Sequence, residues 1–532
     1  MPVPVDTLRD LLTDPATYPY DPEEIRLKQT HISVVAVAPP YVYKFKKPVD
    51  FGFLDFSTLE KRRDACEAEV RLNRRLCAHT YEGVVPLVRT GGQTRVDPEE
   101  ETEASVVEYA VKMRYLPPEH FLHHRAEDER LTAADVDRVV RHLADFYHDR
   151  PSTPEIAEAG WIDRIRVSTD ENFAQTEALA GDLLPRPTFE AVRYYTDRFF
   201  DQHATLFHQR RAGGFVVEGH GDLRLGHVHL TDEQVCIYDC IEFNERLRRL
   251  DWANDIAFLA MDFDVHGRAD LGRHFVHRMQ EALNDPALTT LIDFYKTYRA
   301  YVRGKVEGLQ AADADLPPEE RDESRAAAQR YYRRALRYAV NGGAPLVAVV
   351  MGTVGSGKST QAEALAEALG WERVSSDRVR KSLAGVPLEA QPDAEARAQL
   401  YTSEMSARTY GALRDRALKR STSPGGTGTI LDATYSRRAE RERLRSRLRA
   451  ADVPYVFVEC TAPDDILKHR LAARTASTAH GSDARLDDFD MLQERYEAPT
   501  ALEDARHVRV STEPDPTETT TDILKHLIRM ED

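Results

Sequence analysis

Between an apolar run that ends at Met351 and a helical pattern that begins near Lys358 lies the octapeptide Gly352-Thr-Val-Gly-Ser-Gly-Lys-Ser359. Glycines at 352, 355 and 357 let the backbone curl so that successive N–H groups turn inward, and the helix start adds its positive end. That combination cradles a phosphate chain. Within it, Lys358 reaches the β- and γ-phosphates and Ser359 offers its hydroxyl to Mg²⁺, with Ser356 and Thr360 completing the nucleotide-binding positions. The cofactors expected are ATP and Mg²⁺. Such a loop needs a strand before it and a helix after it. Short apolar strands at 346–351, 429–432 and 455–459 alternate with helical stretches, which predicts an α/β domain with a parallel sheet between helices.

This domain is expected to begin at residue 346. The stretch Asn341-Gly342-Gly343-Ala344-Pro345 is turn-rich and reads as a linker, with residues 1–340 as a separate domain and 346–532 as the P-loop domain. Upstream, 28–47 alternates like a hairpin around Pro39-Pro40, and a helix is expected from about Ser57 to Leu76. The pattern is helical from about Thr132 to Gln209, β-rich from Phe215 to Phe243 and helical again to about Val340. The charged, Ala-rich segment 311–334 predicts a solvated helix.

With 72 basic and 89 acidic residues the chain carries a formal charge of −17, which weighs against non-specific coating of nucleic acid. No stretch approaches the roughly 18 apolar residues that span a bilayer, and the start lacks a signal-peptide pattern, so a cytoplasmic protein without a membrane partner is expected. The five cysteines (66, 77, 236, 240 and 460) are odd in number and lack a second Cys/His pair for zinc. All five are expected as reduced, structural thiols.

Beyond the loop, Val374-Ser-Ser-Asp377 places a carboxylate at a strand's carboxyl end, where open α/β sheets bind substrates. Asp377 can take the proton of an attacking hydroxyl, or cap the next helix beside Ser376. Asp432 ends another strand and suits the metal's water shell or the acceptor. Arg470 and Arg474 stand one turn apart on a helix over 464–475, from which an arginine could close over the transferred group. Arg437, Arg441, Arg445 and Arg449 repeat every four residues, the pattern of a solvated face balanced by Glu440 and Glu442, or of an anion-binding wall.

Residues 346–532 resemble the small P-loop kinases that include gluconate kinase, zeta-type kinases and 5′-hydroxyl polynucleotide kinases. The resemblance implies Asp377 as general base, Arg380 and Asp432 on the acceptor side, and Arg474 with Lys358 as catalytic cations.

The N-terminal part carries His220-Gly-Asp222-Leu-Arg-Leu-Gly-His227, and about a dozen residues later Val235-Cys-Ile-Tyr-Asp239. Two aspartates at strand ends can serve an acceptor hydroxyl and Mg²⁺. This part is similar to the aminoglycoside phosphotransferases, whose fold is that of protein kinases; an α+β domain is implied. The resemblance implies Asp222 as base, Asp239 as metal ligand, Lys44 as the phosphate lysine and Glu69 as its partner. Glu69 shares a helical stripe with Cys66, Leu72 and Leu76, so it faces inward and needs a cation. Lys46 points the same way as Lys44, and the choice stays open. Two features depart from that family: His227 stands where it has asparagine, and no glycine-rich loop joins the first strands. Arg299 and Arg303, one turn apart in a late helix, suit an anionic acceptor or a salt-bridged surface.

The chain is therefore expected to be an ATP-dependent phosphotransferase of two kinase-like domains, acting on a hydroxyl of a small molecule. Alternatives are a 5′-hydroxyl polynucleotide kinase with an oligonucleotide acceptor, and an N-terminal pseudokinase-like module regulating a P-loop switch. The acceptor and the oligomeric state are not legible in the sequence.

Overall fold

A computed structural model describes residues 3–52, 54–90, 93–98, 106–314, 316–388, 394–423, 425–475, 486–499 and 506–530, with the side chains of 394, 396, 474 and 475 excepted. The chain forms two compact units. The first gathers residues 1–166 and 203–295, the second 167–202 and 296–532. The turn at 341–345 therefore lies inside the second unit.

The first unit holds a six-stranded antiparallel sheet. Its strands are β1 (Arg26–Gln29), β2 (Ser33–Ala38), β3 (Tyr41–Lys46), β4 (Tyr81–Thr90), β5 (Gln93–Val96) and β6 (Val106–Arg114), in the order β1-β2-β3-β6-β4-β5. Pro39 and Pro40 turn β2 into β3, so Lys44 lies opposite Val35. Alternation then sorts the faces of β3: Tyr43 and Phe45 join a core with Leu8, Leu12 and Tyr18, while Lys44 and Lys46 face the other way. That second face is covered by helix α1 (Leu59–Asn73), capped at Thr58, whose hydroxyl accepts from the Lys61 amide at 3.2 Å. The buried residues of α1 include Arg62, Cys66, Glu69 and Asn73, a polar stripe at helical spacing.

Helices α2 (Ala133–His148), α3 (Trp252–Val265) and α4 (Ala269–Leu283) pack together in the same unit. Two small hairpins accompany them: β7 (Val216–Glu218) with β10 (Arg249–Asp251), and β8 (Val228–Leu230) with β9 (Val235–Ile237). Buried Arg210 bridges Asp251 and Asp285, and Asp251 caps α3.

In the second unit, helix α5 (Pro318–Asn341) precedes a parallel sheet of β11 (Val347–Met351), β12 (Glu372–Ser375), β13 (Thr429–Asp432), β14 (Tyr455–Thr461) and β15 (His507–Ser511). Their order is β12-β13-β11-β14-β15. Every residue of central β11 is buried, as expected where helices cover both faces. Val347, Val349 and Met351 share a core with Leu413 and Ala417 of helix α8 (Ser403–Thr422) and Leu444 and Leu448 of α9 (Arg438–Ala450). The opposite face is covered by α6 (Lys358–Leu369), against which α11 (Pro516–Arg529) and α5 pack. Arg333 and Arg337 of α5 donate to the carbonyls of Glu367, Leu369 and Gly370 at the end of α6, where the helix leaves acceptors unpaired.

Three expectations are corrected here. Cys77 and Cys236 are joined as a disulfide, not free thiols: Ile237 donates to the Leu76 carbonyl at 3.2 Å, which brings their Cα atoms to 4.5 Å across 159 residues. Cys66, Cys240 and Cys460 are free and buried. The charged segment over 311–334 is not solvated throughout, because α5 buries Ala328 and Tyr332. Nor is the arginine stripe a solvated face throughout: Arg437 and Arg449 are exposed, but Arg441 and Arg445 are buried, and Arg441 donates to the Tyr435 carbonyl at 2.8 Å. Among the described residues no helix is long and apolar enough to cross a membrane.

Candidate functional site

The phosphate cradle lies at the carboxyl end of β11, between its neighbours β13 and β14, where the chain's crossovers reverse direction and open sheets leave a crevice. Only glycine fits three of its positions. Gly352 has φ 144°, and a Cβ there would lie 2.3 Å from the Cys460 carbonyl oxygen. At Gly355 (φ 77°) the same atom would meet the Leu467 carbonyl at 2.8 Å, and at Gly357 (φ 78°) the Thr512 hydroxyl at 3.3 Å. Lys358 opens α6 and donates to the Thr353 carbonyl at 3.4 Å, folded over the loop. Thr360 is exposed in the first turn of α6, whereas Ser356 is buried.

Ser359 donates to Asp432 Oδ1 at 3.1 Å, and Arg373 of β12 grips Oδ2 at 2.7 Å. Asp432, read on the acceptor side, is thus held beside the metal-type hydroxyl by the register that sets Val350 opposite it. A hydroxyl and a carboxylate are hard oxygen donors, which fits Mg²⁺.

Helix α7 (Ser376–Ala384) follows β12 and presents Asp377 in its first turn. The cap position is Ser375, which makes no side-chain capping bond, so Asp377 stands two residues past the cap. Arg380 Nη1 lies 3.3 Å from Asp377 Oδ1, and the mostly buried guanidinium stacks over the Tyr401 ring at 4.4 Å. Helix α10 (Asp464–Thr475) carries the remaining arginines. Arg470 donates to the hydroxyl and carbonyl of Thr512 at 2.9 and 2.6 Å, and that hydroxyl donates to the Ser356 carbonyl at 2.8 Å. This clamp holds the cradle from behind, a part the sequence did not suggest. Arg474 lies in the last turn of α10, and its side chain falls outside the described residues. Arg303 pairs with Glu307, and Arg299 is buried beside Tyr298.

The N-terminal candidates also converge. Lys44 Nζ donates to Glu69 Oε1 at 2.9 Å and to Asp239 Oδ1 at 2.7 Å, while Lys46 bonds the other Glu69 oxygen and Glu242. Glu69 lies between both lysines, so its pairing does not choose between them. Burial would push the Glu69 carboxyl up, but Lys44 and Lys46 hold it below its ordinary value. Asp239 is held well below the carboxylate range, against its burial, chiefly by Lys44. Two lysines here face the enclosed carboxylates of Glu69 and Glu242 and the part-exposed one of Asp239.

Arg224 grips both oxygens of Asp222, at 3.1 and 3.0 Å. His227 Nδ1 donates to the Asp222 carbonyl at 2.8 Å, so Nε2 keeps its lone pair, 3.0 Å from Arg224 Nη2 and 3.6 Å from Asp239 Oδ2. Burial, then the neighbouring Arg224, pulls His227 down to about 4, and the ring is neutral at physiological pH. The loop is anchored by two acids that sequence reasoning missed. Asp255 accepts from the amides of His220 and Gly221 at 2.6 and 2.8 Å, and Asp262 from that of Leu225 at 2.8 Å. Both lie on α3, and two carboxylates within the apolar run Trp252–Phe263 were the available signal.

A family model described as an AAA domain matches residues 347–499, in agreement with the P-loop sheet. Uncharacterized protein Rv2004c of Mycobacterium tuberculosis and uncharacterized protein Mb2027c of Mycobacterium bovis are each 31% identical over 477 residues, 88% of this chain and 91% of theirs. The chain belongs to their family. A match of that extent crosses both parts of the chain. Among solved structures, a gluconokinase from Sinorhizobium meliloti 1021 has a TM-score of 0.26 at 23% identity and covers 36% of this chain and 95% of its own. Chaetomium thermophilum Kti12 in complex with ADP-AlF3 scores 0.27 at 20% identity, covering 35% and 99%.

Proposed function

We propose that this protein is an ATP-dependent phosphotransferase in which the P-loop domain moves the γ-phosphoryl group to a hydroxyl of a small molecule. The carrying observation is that the cradle, the Ser359–Asp432 pair and the Asp377–Arg380 pair follow three adjacent strands of one sheet. Asp377 takes the proton of the acceptor hydroxyl as its oxygen attacks the γ-phosphorus, and the bond to the β-phosphate oxygen breaks to leave ADP. Lys358 neutralises the oxygens between the β- and γ-phosphorus. Arg380 holds Asp377 and an anionic group of the acceptor; Arg474 completes the site from α10. Ser359 and Asp432 would hold Mg²⁺, which would supply neutralisation of the phosphate charge.

Asp377→Asn keeps the side chain's shape and cannot take a proton. Transfer from labelled ATP, screened over sugars, nucleosides and oligonucleotides, should fall by about 10²- to 10⁴-fold with nucleotide affinity retained. Wild-type turnover in that variant would remove Asp377 from the mechanism. Labelling confined to oligonucleotide 5′ ends would instead favour the polynucleotide kinase reading.

A second nucleotide site in the first unit, of protein-kinase type, is favoured by Lys44 spanning Glu69 and Asp239. The carboxylate of Asp239 suits Mg²⁺ better than does the His227 nitrogen. Whether Asp222 works as a base or stays gripped by Arg224 separates a second kinase from a regulatory binding module. Calorimetry with Mg-ATP on the full chain carrying Lys358→Ala decides whether this site binds nucleotide at all.

A further inference from the structure

Asp239 adopts φ 64°, a left-handed conformation that a residue with a Cβ keeps only where its surroundings impose it. Two side chains impose it. The Asp239 amide donates to the Tyr81 hydroxyl at 3.3 Å, and the next amide, of Cys240, donates to Asn73 Oδ1 at 2.8 Å. Asn73 is fully buried at the end of α1, and its own Nδ2 donates to the Glu69 carbonyl at 2.9 Å. Both halves of that amide are therefore used. Reversing it would set NH₂ against the Cys240 amide and oxygen against the Glu69 carbonyl, so the orientation is determined. Aspartate there would accept from Cys240 but repel the Glu69 carbonyl, and leucine would accept nothing.

The consequence follows from the stripe on α1. One turn of that helix presents the Glu69 carboxylate to Lys44, and the next fixes, through Asn73, the turn that presents Asp239 to the same lysine. We propose that Asn73 and Tyr81 are positioning residues that set Asp239 for a metal–nucleotide complex, so that helix α1 aligns both acids at once. The proposal rests on reading the first unit as a metal–nucleotide site. It assigns no contact with the ligand to either residue; both act through Asp239.

The test uses the full chain with the P-loop site silenced by Lys358→Ala and Asp432→Asn. Binding of Mn²⁺ with ATP is followed by loss of the free Mn²⁺ paramagnetic resonance signal, and thermal melting is recorded for every variant. Asn73→Ala should weaken Mn²⁺–ATP binding roughly 10-fold, as expected when the Cys240 amide loses its buried hydrogen bond to Asn73, and Tyr81→Phe by a smaller factor. In an Asp239→Asn background neither change should weaken binding further, because the residue through which they act is already disabled. Losses that add in full to that of Asp239→Asn would overturn the proposal and leave a general structural role. Unchanged binding in both single variants, with Asp239→Asn weakened, would overturn it too. Should Asn73→Ala fail to fold, Tyr81→Phe removes one hydroxyl from an otherwise intact ring and carries the test alone. Absence of Mn²⁺–ATP binding before Asn73 or Tyr81 is altered would instead refute the underlying metal–nucleotide reading.

Discussion

Lys46 offers the sharpest test of the buried charge cluster, because it is fully enclosed and holds two carboxylates, those of Glu69 and Glu242, which are 0% and 4% exposed. Lys46→Met keeps most of the volume and removes the charge. Glu69 retains Lys44 at 2.9 Å, whereas Glu242 keeps only that more distant lysine. Breaking one partner out of a buried pair costs about 3–5 kcal/mol, and the surviving Lys44–Glu69 bond places this case near the lower end, about 3 kcal/mol at pH 8. The cost should depend on pH. Burial already raises the Glu242 carboxyl above its ordinary value against the pull of Lys46, and losing Lys46 raises it further. For an acid whose folded value is raised, stability is complete below the unfolded value of about 4.3 and drains as pH rises through the folded value, at up to about 1.4 kcal/mol per unit. The penalty should therefore be smaller at pH 5 than at pH 8. Adding Glu242→Gln should recover most of that difference and flatten the slope. Urea unfolding reads this out, with Trp371→Phe introduced so that fluorescence reports only Trp161 and Trp252 of the first unit. A penalty below about 1 kcal/mol at pH 8, or one that ignores both pH and Glu242→Gln, would refute the assignment of an ionised, mutually dependent cluster.

The glycines of the cradle should rank by what a Cβ would strike. Gly352→Ala, 2.3 Å from a backbone carbonyl, is expected to cost about 3 kcal/mol or more and to abolish nucleotide binding. Gly357→Ala, 3.3 Å from a hydroxyl, should cost only about 1–2 kcal/mol; melting curves and ATP titrations showing the reverse order would contradict the loop geometry. Arg337→Met removes two donors from the carbonyls that end α6 and should lower the stability of the second unit by about 1–2 kcal/mol without changing ATP affinity. An unchanged melt followed at Trp371 would mean that α5 does not brace the P-loop domain.

What could be read from the sequence was what each residue demands locally. The cradle needs glycine at three positions, and an inward-facing Glu69 needs a cation; both demands are written within a few residues. Pairings across long separations were not. Nothing near Cys77 announces Cys236, and strand β15, His-Val-Arg-Val-Ser, lies on a sheet edge with alternate residues exposed, so it lacks the apolar run that marked β11. The strands of 81–114 went unread for a related reason: β4 contains Gly83 and Pro86, which read locally as breakers, yet it pairs with β6 on one side and β5 on the other. The boundary at 341–345 shows the same limit from another direction. Gly342, at φ 54°, does end α5, as a glycine-rich turn should. Composition marks where a helix stops, however, and not which core it joins; Arg333 and Arg337, by reaching the carbonyl end of α6, attach α5 to the sheet that follows the turn. The expected linker is therefore a connection within one compact unit, and a fragment cut there would leave the end of α6 without the donors that α5 supplies.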